Sequence, residues 1–269
     1  TIFTMLVDGK VIAADIIRET SNMVTHLSHA PHAIVVTCAP QFETKKYLAL
    51  KLKRAKEAGI ALSVVEFAQS TTTEELVTSI ARFTMQTDAI VVQLPLPPHI
   101  DTTAVLAAIP ASYDADGMHF ETVISTVYSP VVGAIAEIGK RHDVLFAGSH
   151  VVVVGHGRLV GLPAASFARG QGARVTVLTE DSTDTEAVLL TADILILGAG
   201  VPKHIKPSML KDGVVIFDAG TSEEGGVLVG DADPACAEKA SLFTPVPGGI
   251  GPITVAVLLR NIALLAGAK

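Results

Sequence analysis

The sequence predicts an α/β fold built from two domains. Short β-branched runs, such as AIVV from Ala89 and HVVVV from His150, have the length and composition of buried parallel strands. Segments with apolar residues at helical spacing separate these runs, and this alternation is typical of a parallel sheet covered by helices. The 269 residues are enough for one large domain or two ordinary ones.

Composition restricts the class of protein. Hydrophobic residues make up 49% of the chain and charged residues 17%, which is typical of a globular enzyme. The net charge of −7 disfavours nucleic acid as a partner, because phosphate binding needs a basic face. Cys38 and Cys236 are too few for a disulfide framework or a zinc cluster. No apolar run reaches the roughly 20 residues of a membrane span and no leader pattern precedes the first helix, so we expect a cytoplasmic protein without a membrane partner.

The first half of the chain predicts three strands separated by helices. Asp8-Gly9-Lys10 marks a turn before the first helix, Gly59 ends the second, and the capping sequence TTTEE from Thr71 begins the third. The predicted elements are a helix at 11–27, a strand at 33–37, a helix at 44–58, a strand at 61–67, a helix at 73–83, a strand at 89–92 and a short helix at 102–109.

Three histidines near the end of the first helix raise the question of a metal site. His26, His29 and His32 recur at three-residue intervals, but Pro31 interrupts any helix there and no acidic or cysteine ligand accompanies them. We therefore expect a solvated helix end and no metal.

The second half of the chain predicts a Rossmann-type dinucleotide-binding domain. The valine-rich strand at 150–154 runs directly into a glycine turn that holds Gly155, His156, Gly157, Arg158 and Gly161, and a helix at 164–169 follows. Glycines let a pyrophosphate approach the backbone, and the start of a helix supplies N–H donors. The remaining predicted elements are a connection at 118–129, a helix at 130–140, strands at 174–178, 193–198 and 214–218, a hairpin turn at 223–226 and a last helix at 253–266.

Acidic residues follow the second strand of this domain. Thr179, Glu180 and Asp181 stand about 20 residues beyond the glycine turn, where a carboxylate can accept hydrogen bonds from an adenosine ribose and repel a 2′-phosphate. This position favours NAD over NADP. The alternative, that the acidic residues cap a helix at 185–190, is about equally well supported by the sequence.

Gln93 is the first polar side chain after the strand at 89–92. Pro95, Pro97 and Pro98 prevent the strand from continuing, and the carboxyl ends of parallel strands face the ligand crevice of an open α/β sheet. Gln93 is therefore a candidate site residue, although a residue at this position can also do no more than end a strand.

Tyr47 and Lys51 are four residues apart on the predicted helix at 44–58, so their side chains share one face. The pair can point into a crevice, or it can be a surface tyrosine stacked on a lysine stem. Tyr-x-x-x-Lys is also the catalytic pair of short-chain dehydrogenases. In those enzymes, however, the glycine-rich nucleotide loop precedes the pair, and here the order is reversed.

Two further loops carry candidate residues. Asp114 and Asp116 are two residues apart in an extended segment, so at most one of them points into a crevice, and an acid/base mechanism with paired carboxylates is disfavoured. The segment from Leu242 to Pro252 contains Pro247, Gly248 and Gly249 and reads as a rigid loop whose backbone amides can approach a flat ligand.

These motifs together resemble the bifunctional methylenetetrahydrofolate dehydrogenase/methenyltetrahydrofolate cyclohydrolase family, nearly from end to end. The matching strings are DGK from Asp8, Tyr47-x-x-x-Lys51, VQLPLP from Val92, DADG from Asp114, the glycine turn from Gly155 to Pro163, and PVPGGIGPIT from Pro245. The strings QLPLP and PGGIGP are highly specific in combination.

The resemblance implies a site and an activity. Lys51 is the implied catalytic lysine, Gln93 the amide that orients it, Tyr47 the ring over the folate, and Asp116 the carboxylate that binds the pteridine amino group. Thr44 stands where the family usually has a serine, and Pro247, Gly248 and Gly249 are implied in substrate binding. The implied architecture is a folate-binding domain of residues 1–118 and 252–269, a Rossmann domain of residues 119–251, and a cleft between them. Family members are usually homodimers, so we expect a homodimer.

The sequence departs from the family pattern at the cofactor. The usual Gly-Arg-Ser is replaced by Gly155-His156-Gly157, and the usual Cys-His-Ser by the residues that follow Leu178. Because those positions often hold the cofactor phosphate, NAD becomes as good a candidate as the usual NADP. The leading hypothesis is the bifunctional enzyme, and the alternatives are an enzyme with cyclohydrolase activity alone and a non-catalytic dinucleotide-binding protein. For Lys51 we predict a pKa lowered by burial, as hydrolysis requires.

Overall fold

A computed structural model describes residues 3–40, 42–119 and 127–269 of the chain. The strands are β1 (Met5–Leu6), β2 (His32–Cys38), β3 (Ala61–Phe67), β4 (Ala89–Val92), β5 (His150–Val154), β6 (Arg174–Leu178), β7 (Ile194–Leu197), β8 (Val214–Asp218), β9 (Ser222–Glu224), β10 (Val227–Val229) and β11 (Ala240–Phe243). The helices are α1 (Gly9–Val24), α2 (Phe42–Ala58), α3 (Thr73–Phe83), α4 (Thr102–Ala107), α5 (Pro130–Arg141), α6 (Gly161–Gly170), α7 (Thr185–Leu189) and α8 (Ile250–Gly267).

The chain divides into two compact units. The large-sheet unit consists of Thr1–Ala13 and Val131–Thr254, and the small-sheet unit consists of Ala14–Pro130 and Val255–Lys269. We expected the first residues of the chain to belong to one domain with the rest of residues 1–118. The structure places them in the large-sheet unit, because β1 pairs in parallel with β11.

The small-sheet unit is built on a parallel sheet in the order β3-β2-β4. The central strand β2 is buried along almost its whole length, as its β-branched sequence predicts. Helix α3 begins with the predicted capping box: the amide of Thr72 donates to the Glu75 carboxylate at 2.8 Å, and the amide of Glu75 donates to the Thr72 hydroxyl at 3.2 Å. Ile34, Leu76, Ile80 and Ile90 lie at the centre of the core on one face of the sheet.

The large-sheet unit contains a six-stranded parallel sheet in the order β1-β11-β8-β7-β5-β6. The chain passes from β5 to β6 on one side and then crosses to β7 on the other side of β5. This reversal is the switch point of a doubly wound sheet, where ligands bind beyond the carboxyl ends of the strands. The predicted dinucleotide-binding topology is therefore present.

Two strands of the large sheet were not predicted. Strand β1 has only two residues, both exposed, and carries too little pattern to be recognised. Strand β11 falls at the start of the segment that we interpreted as a loop, so the prediction of a loop from Leu242 was wrong for its first residues. Ala240 and Leu242 pair with Val214 and Val215 of β8, and these long-range partners make the segment a strand.

Helices α1, α6 and α8 begin earlier than predicted. Helix α1 begins at Gly9 rather than Val11, because the Asp8 carboxylate accepts hydrogen bonds from the amides of Lys10 at 3.0 Å and Val11 at 3.3 Å and so caps the helix. Helix α6 begins at Gly161, three residues before the predicted start. Helix α8 begins at Ile250 because a proline such as Pro252 is tolerated in a first helical turn.

Helix α8 is long and apolar enough to cross a membrane, with a mean hydropathy of 1.7 over its 18 residues. Its buried share inside the folded chain is 67%, which is the property of a core helix. Ile253, Leu259 and Ile262 are fully buried, so the apolar sequence of the helix is explained by packing within the chain.

The histidines at 26, 29 and 32 have separate environments. His26 is exposed, as expected for a helix end, whereas the His29 ring contacts the Asp88 carboxylate at 3.0 Å and His32, the first residue of β2, contacts the Ser63 hydroxyl at 2.8 Å. Among the described residues, no group of three or more His, Cys, Asp or Glu side chains is arranged to hold a metal ion.

Candidate active site

Lys51 and Gln93 form the centre of the candidate site in the small-sheet unit. The side chain of Lys51 projects from α2 and is only 8% exposed, and its Nζ donates a hydrogen bond of 2.9 Å to Oε1 of Gln93. Gln93 directly follows β4, where its backbone N–H donates to the Val36 carbonyl at 2.8 Å. The surface interpretation of the Lys51 side chain is thereby excluded.

The orientation of the Gln93 amide is determined by its two neighbours. Nε2 donates to the Leu94 carbonyl at 3.0 Å, which leaves Oε1 directed at the lysine. An ammonium can only donate hydrogen bonds, so the oxygen is the amide atom that must face it. Gln93 therefore holds the Lys51 nitrogen in one place through a neutral acceptor.

Two further residues of α2, Tyr47 and Thr44, lie on the same face of the helix as Lys51. The Lys51 nitrogen lies 5.4 Å from the centre of the Tyr47 ring, within the range of a cation–π contact. Tyr47 is 41% exposed, so the residue is partly accessible to solvent. Thr44 is half-buried one helical turn before Tyr47 on the same face.

Asp116 is the ionisable group coupled to Lys51. Burial is the main reason that the pKa of the Asp116 carboxyl is raised to about 6; the Lys51 ammonium and the backbone N–H of Val92 lower this pKa, and the nearby Asp114 raises it. Burial lowers the pKa of Lys51, and the negative charge of Asp116 partly offsets this effect. The direction predicted for the pKa of Lys51 is confirmed, and Asp116 is a group whose charge changes near pH 6.

Asp114 has a structural role distinct from that of Asp116. Its Oδ2 accepts the backbone N–H groups of Met118 at 2.6 Å and His119 at 3.2 Å, and the residue is almost fully buried. Asp114 therefore stabilises the turn that follows it. The expectation that only one of the two carboxylates is available to a site agrees with this geometry.

A cavity in the large-sheet unit is lined in part by Gly157 and Arg158 of the glycine turn, from which the sequence predicts a dinucleotide site. Its volume is about 300 Å³, and it lies where β5, β7 and β8 end. The residues that line it are Gly157, Arg158, Leu159, Val160, Gly198, Ala199, Gly200, Ala219, Gly220 and Thr221. Three loops thus converge beyond the carboxyl ends of three neighbouring strands, as expected for a doubly wound sheet.

The glycines of the turn have different physical roles. A Cβ on Gly155 would lie 2.6 Å from the Gly198 carbonyl oxygen, and one on Gly161 would lie 2.1 Å from the Gly155 carbonyl oxygen, so both positions require close backbone packing. A Cβ on Gly157 would meet no atom within 4 Å, and the open space at this position faces the cavity. The N-terminus of α6 and the free approach at Gly157 fit the pyrophosphate of a dinucleotide. His156 is exposed in the same turn.

Thr179, Glu180 and Asp181 follow β6 and are exposed. The amide of Thr179 donates to the Ser182 hydroxyl at 2.9 Å, which closes a turn before α7. The residue at the N-cap position of α7 is Asp184, so the alternative interpretation of Glu180 and Asp181 as helix caps was wrong. The carboxylates of Glu180 and Asp181 are therefore exposed to solvent beyond the end of β6.

The loop at Pro247, Gly248 and Gly249 belongs to the large-sheet unit, whereas Lys51, Gln93, Tyr47 and Asp116 belong to the small-sheet unit. The amide of Gly9 donates to the Gly248 carbonyl at 2.9 Å, and a Cβ on Gly9 would lie 1.8 Å from the Gly249 carbonyl oxygen. The loop therefore packs tightly against the start of α1.

Sequence comparison identifies the family of the chain. The model of the catalytic domain of tetrahydrofolate dehydrogenase/cyclohydrolase matches residues 7–116, and the model of the NAD(P)-binding domain of the same enzymes matches residues 129–269. The chain belongs to the tetrahydrofolate dehydrogenase/cyclohydrolase family. Its second domain is an NAD(P)-binding domain.

Individual relatives match over nearly their whole length. The bifunctional protein FolD of Halothermothrix orenii is 36% identical, with 95% of both chains covered. The crystal structure of the bifunctional enzyme FolD from Campylobacter jejuni has a TM-score of 0.94 at 29% identity and covers 98% of this chain and 99% of its own. The Trypanosoma brucei enzyme, solved in complex with NADP and an inhibitor, has a TM-score of 0.89 at 30% identity and covers 98% of this chain and 97% of its own.

Sequence reasoning missed one residue that supports Asp116 in this family member. Asn261 is a buried amide on α8, and its Nδ2 donates to the carbonyls of Ala115 at 2.9 Å and Tyr128 at 2.8 Å. It therefore fixes the loop from which Asp116 projects. The available signal was a single amide in a largely apolar helix.

Sequence reasoning also missed two buried acids in the NAD(P)-binding domain. Asp218 ends β8 and is 2% exposed, and Asp231 follows β10 and is 0% exposed. Both accept hydrogen bonds from backbone N–H groups of the loops that line the cavity. For Asp218 the signal was its position as the first polar residue after an apolar strand, the same argument that identified Gln93.

Proposed function

We propose that this chain oxidises 5,10-methylenetetrahydrofolate to 5,10-methenyltetrahydrofolate with NAD(P)+ and hydrolyses the product to 10-formyltetrahydrofolate. The observation that supports this proposal best is the buried Lys51 amine, hydrogen-bonded to Gln93 and electrostatically coupled to Asp116. A lysine held by a neutral amide in a largely buried position is suited to proton transfer near neutral pH.

In the oxidation step, the main task of the protein is to hold the folate in one orientation. A dinucleotide held by the glycine turn and α6 would supply the hydride acceptor for the one-carbon bridge, whose oxidation gives the methenyl folate. The Tyr47 ring stacks on the pteridine, and the Asp116 carboxylate accepts hydrogen bonds from the pteridine amino group. Placing the reacting carbon in this way supplies much of the rate acceleration, because little acid or base chemistry is required.

In the hydrolysis step, a water molecule adds to the methenyl carbon. The unprotonated Lys51 amine takes a proton from this water as the water oxygen bonds to the methenyl carbon. The resulting Lys51 ammonium then gives a proton to N5 of the folate as the bond between the carbon and N5 breaks. The formyl group stays on N10, and one proton is released to solvent overall. The lowered pKa of Lys51 is what makes the unprotonated amine available.

We propose further that NAD is the preferred cofactor. The glycine turn and α6 would hold the pyrophosphate, and Glu180 and Asp181 are exposed at the end of β6, where they would accept hydrogen bonds from the adenosine ribose. Two carboxylates at this point also disfavour a 2′-phosphate through charge repulsion.

We also propose that the enzyme is a homodimer in the cytoplasm. The dimer proposal rests on family resemblance. Light scattering coupled to size-exclusion chromatography tests it, since a mass near twice that of one chain supports a dimer and a mass of one chain, 28.0 kDa, overturns it.

The activity is tested by mixing purified protein with 5,10-methylenetetrahydrofolate and either NAD+ or NADP+. Reduced nicotinamide and the methenyl chromophore are followed together. The proposal predicts that reduced nicotinamide accumulates while the methenyl intermediate forms and then decays. Hydrolysis of supplied methenyltetrahydrofolate without cofactor reduction indicates the cyclohydrolase alone, and dinucleotide binding without turnover of either folate overturns the proposal.

A further inference from the structure

Two buried carboxylates lie behind the loops that line the dinucleotide cavity. Asp231 is fully buried, and its Oδ2 accepts the backbone N–H groups of Ala199 at 2.7 Å and Gly200 at 3.1 Å. Ala199 and Gly200 follow β7 and line the cavity. A single side-chain oxygen thus fixes the path of one of the three loops.

The Asp218 carboxylate fixes the path of the loop that follows β8. Its Oδ1 accepts the N–H groups of Gly220 at 3.0 Å and Asp231 at 3.2 Å, and its Oδ2 accepts that of Ala232 at 2.8 Å. Its own backbone N–H donates to the Thr244 hydroxyl at 2.7 Å. Gly220 lines the cavity, so Asp218 connects this loop to the segment that carries Asp231.

Contact geometry couples Asp231 to the Gly220 loop as well. A Cβ on Gly220 would lie 2.2 Å from both Cγ and Oδ1 of Asp231. Within the described part of the chain, Oδ1 of Asp231 is buried and has no hydrogen-bond partner. An unsatisfied buried carboxylate oxygen is costly to stability, so the contribution of this acid is the pair of hydrogen bonds that its Oδ2 accepts from the loop after β7.

We propose that Asp231 is a positioning residue for the nicotinamide half of the dinucleotide site. In a doubly wound sheet the two halves of a dinucleotide lie on opposite sides of the switch point. The acidic residues after β6 are on the adenosine side of β5, whereas the loops after β7 and β8 are on the other side. Asp231 contacts both of those loops and acts on the cofactor through them. This inference rests on the proposed dinucleotide-dependent function.

The test compares Asp231→Ala and Asp231→Asn with the wild type in titrations with NAD+, NADP+ and ADP. The alanine variant removes both loop hydrogen bonds, so its affinity for the dinucleotide that the wild type binds better falls at least about tenfold. The asparagine variant keeps one acceptor oxygen but loses the charge, and its affinity falls about threefold. ADP carries only the adenosine half, so its affinity changes by less than about twofold in both variants.

Two further measurements separate positioning from a general loss of structure. Hydrogen–deuterium exchange of the 198–201 segment without ligand becomes faster in Asp231→Ala, because its two amides lose their acceptor. The matched control is Asp193→Ala. Asp193 directly precedes β7, whereas Ala199 and Gly200 follow the other end of the strand. Asp193 accepts the His150 amide at 2.7 Å and pairs with Lys211, so its loss lowers stability but leaves dinucleotide affinity unchanged.

Each outcome decides for or against the inference. Wild-type dinucleotide affinity in a folded Asp231→Ala protein overturns it, and so does an equal loss of ADP and dinucleotide affinity. If Asp231→Ala does not fold, unchanged dinucleotide affinity in Asp231→Asn overturns it instead. A wild-type protein that binds neither dinucleotide overturns the proposed function itself. If the wild type binds a dinucleotide and the Asp231 variant binds it equally well, only the inference about Asp231 is overturned.

Discussion

The Lys51 nitrogen donates a hydrogen bond of 2.9 Å to the side-chain oxygen of Gln93, a residue 42 positions later in the chain. This bond joins α2 to the residue that follows β4 and fixes the buried amine of the candidate site. Because the acceptor is neutral, it orients the amine without stabilising its charge as a carboxylate would. The same contact therefore positions the lysine and allows its pKa to fall.

Replacing Gln93 by Glu tests this effect of a neutral acceptor. A carboxylate in place of the amide favours the protonated form of Lys51 and raises its pKa. We expect the pH–rate profile for methenyltetrahydrofolate hydrolysis to move to higher pH. The rate at neutral pH should fall at least about tenfold. A profile with an unchanged midpoint would show that Gln93 does not control the ionisation of Lys51.

Replacing Asp116 by Asn removes a charge that opposes the lowered pKa of Lys51. We expect the hydrolysis profile to move to lower pH, in the direction opposite to that of Gln93→Glu. In the wild type, KM for folate rises as the pH falls below about 6, where Asp116 becomes protonated, and this dependence disappears in the variant. Steady-state kinetics between about pH 5 and pH 8 measure both effects, and a persisting rise in KM with its midpoint near the same pH contradicts the assignment.

The acidic residues after β6 predict cofactor choice. Replacing both Glu180 and Asp181 by Ser removes the repulsion of a 2′-phosphate, so NADP+ affinity rises by about tenfold and NAD+ affinity falls. Glu186→Gln, an exposed change in the first turn of α7, serves as the control for removing a nearby negative charge that has no proposed ribose contact. Equal changes in the affinity for both cofactors in the double variant would contradict a ribose contact.

Asp218 predicts a specific dependence of stability on pH. Burial raises its pKa to about 6 in the folded protein, above the ordinary 3.8, so the stability that this carboxyl contributes is full below about pH 4 and is lost as the pH rises through about 6. Relative to Asp218→Asn, the wild type should lose on the order of 3 kcal/mol of unfolding free energy between those limits. Urea denaturation of both proteins across this range measures the difference. A constant difference would mean that Asp218 has an ordinary pKa.

Much of the candidate site followed from local sequence. Tyr47 and Lys51 are related by helical spacing, and Gln93 is identified by the end of an apolar strand, so short-range geometry was sufficient to name them. The contact between Lys51 and Gln93 also depends on the parallel pairing of strands, which the alternation of strands and helices predicts.

The residues that sequence reasoning missed act over long distances in the chain. Asn261 is 146 residues from the carbonyl of Ala115 that it binds, and Asp231 is 32 residues from the amide of Ala199. No local period or motif relates such pairs, because the fold alone brings them together. Strand β11 was missed for the same reason, since its partners on β8 decide its conformation.

The most direct test of the account is hydrolysis of 5,10-methenyltetrahydrofolate by Lys51→Met, measured beside Lys53→Met. Lys53 lies on the same helix and is exposed, so its replacement removes an equal charge without touching the site. We expect Lys53→Met to hydrolyse at the wild-type rate and a folded Lys51→Met to give no rate above that of buffer. Hydrolysis by Lys51→Met at the wild-type rate would contradict the central role of this amine.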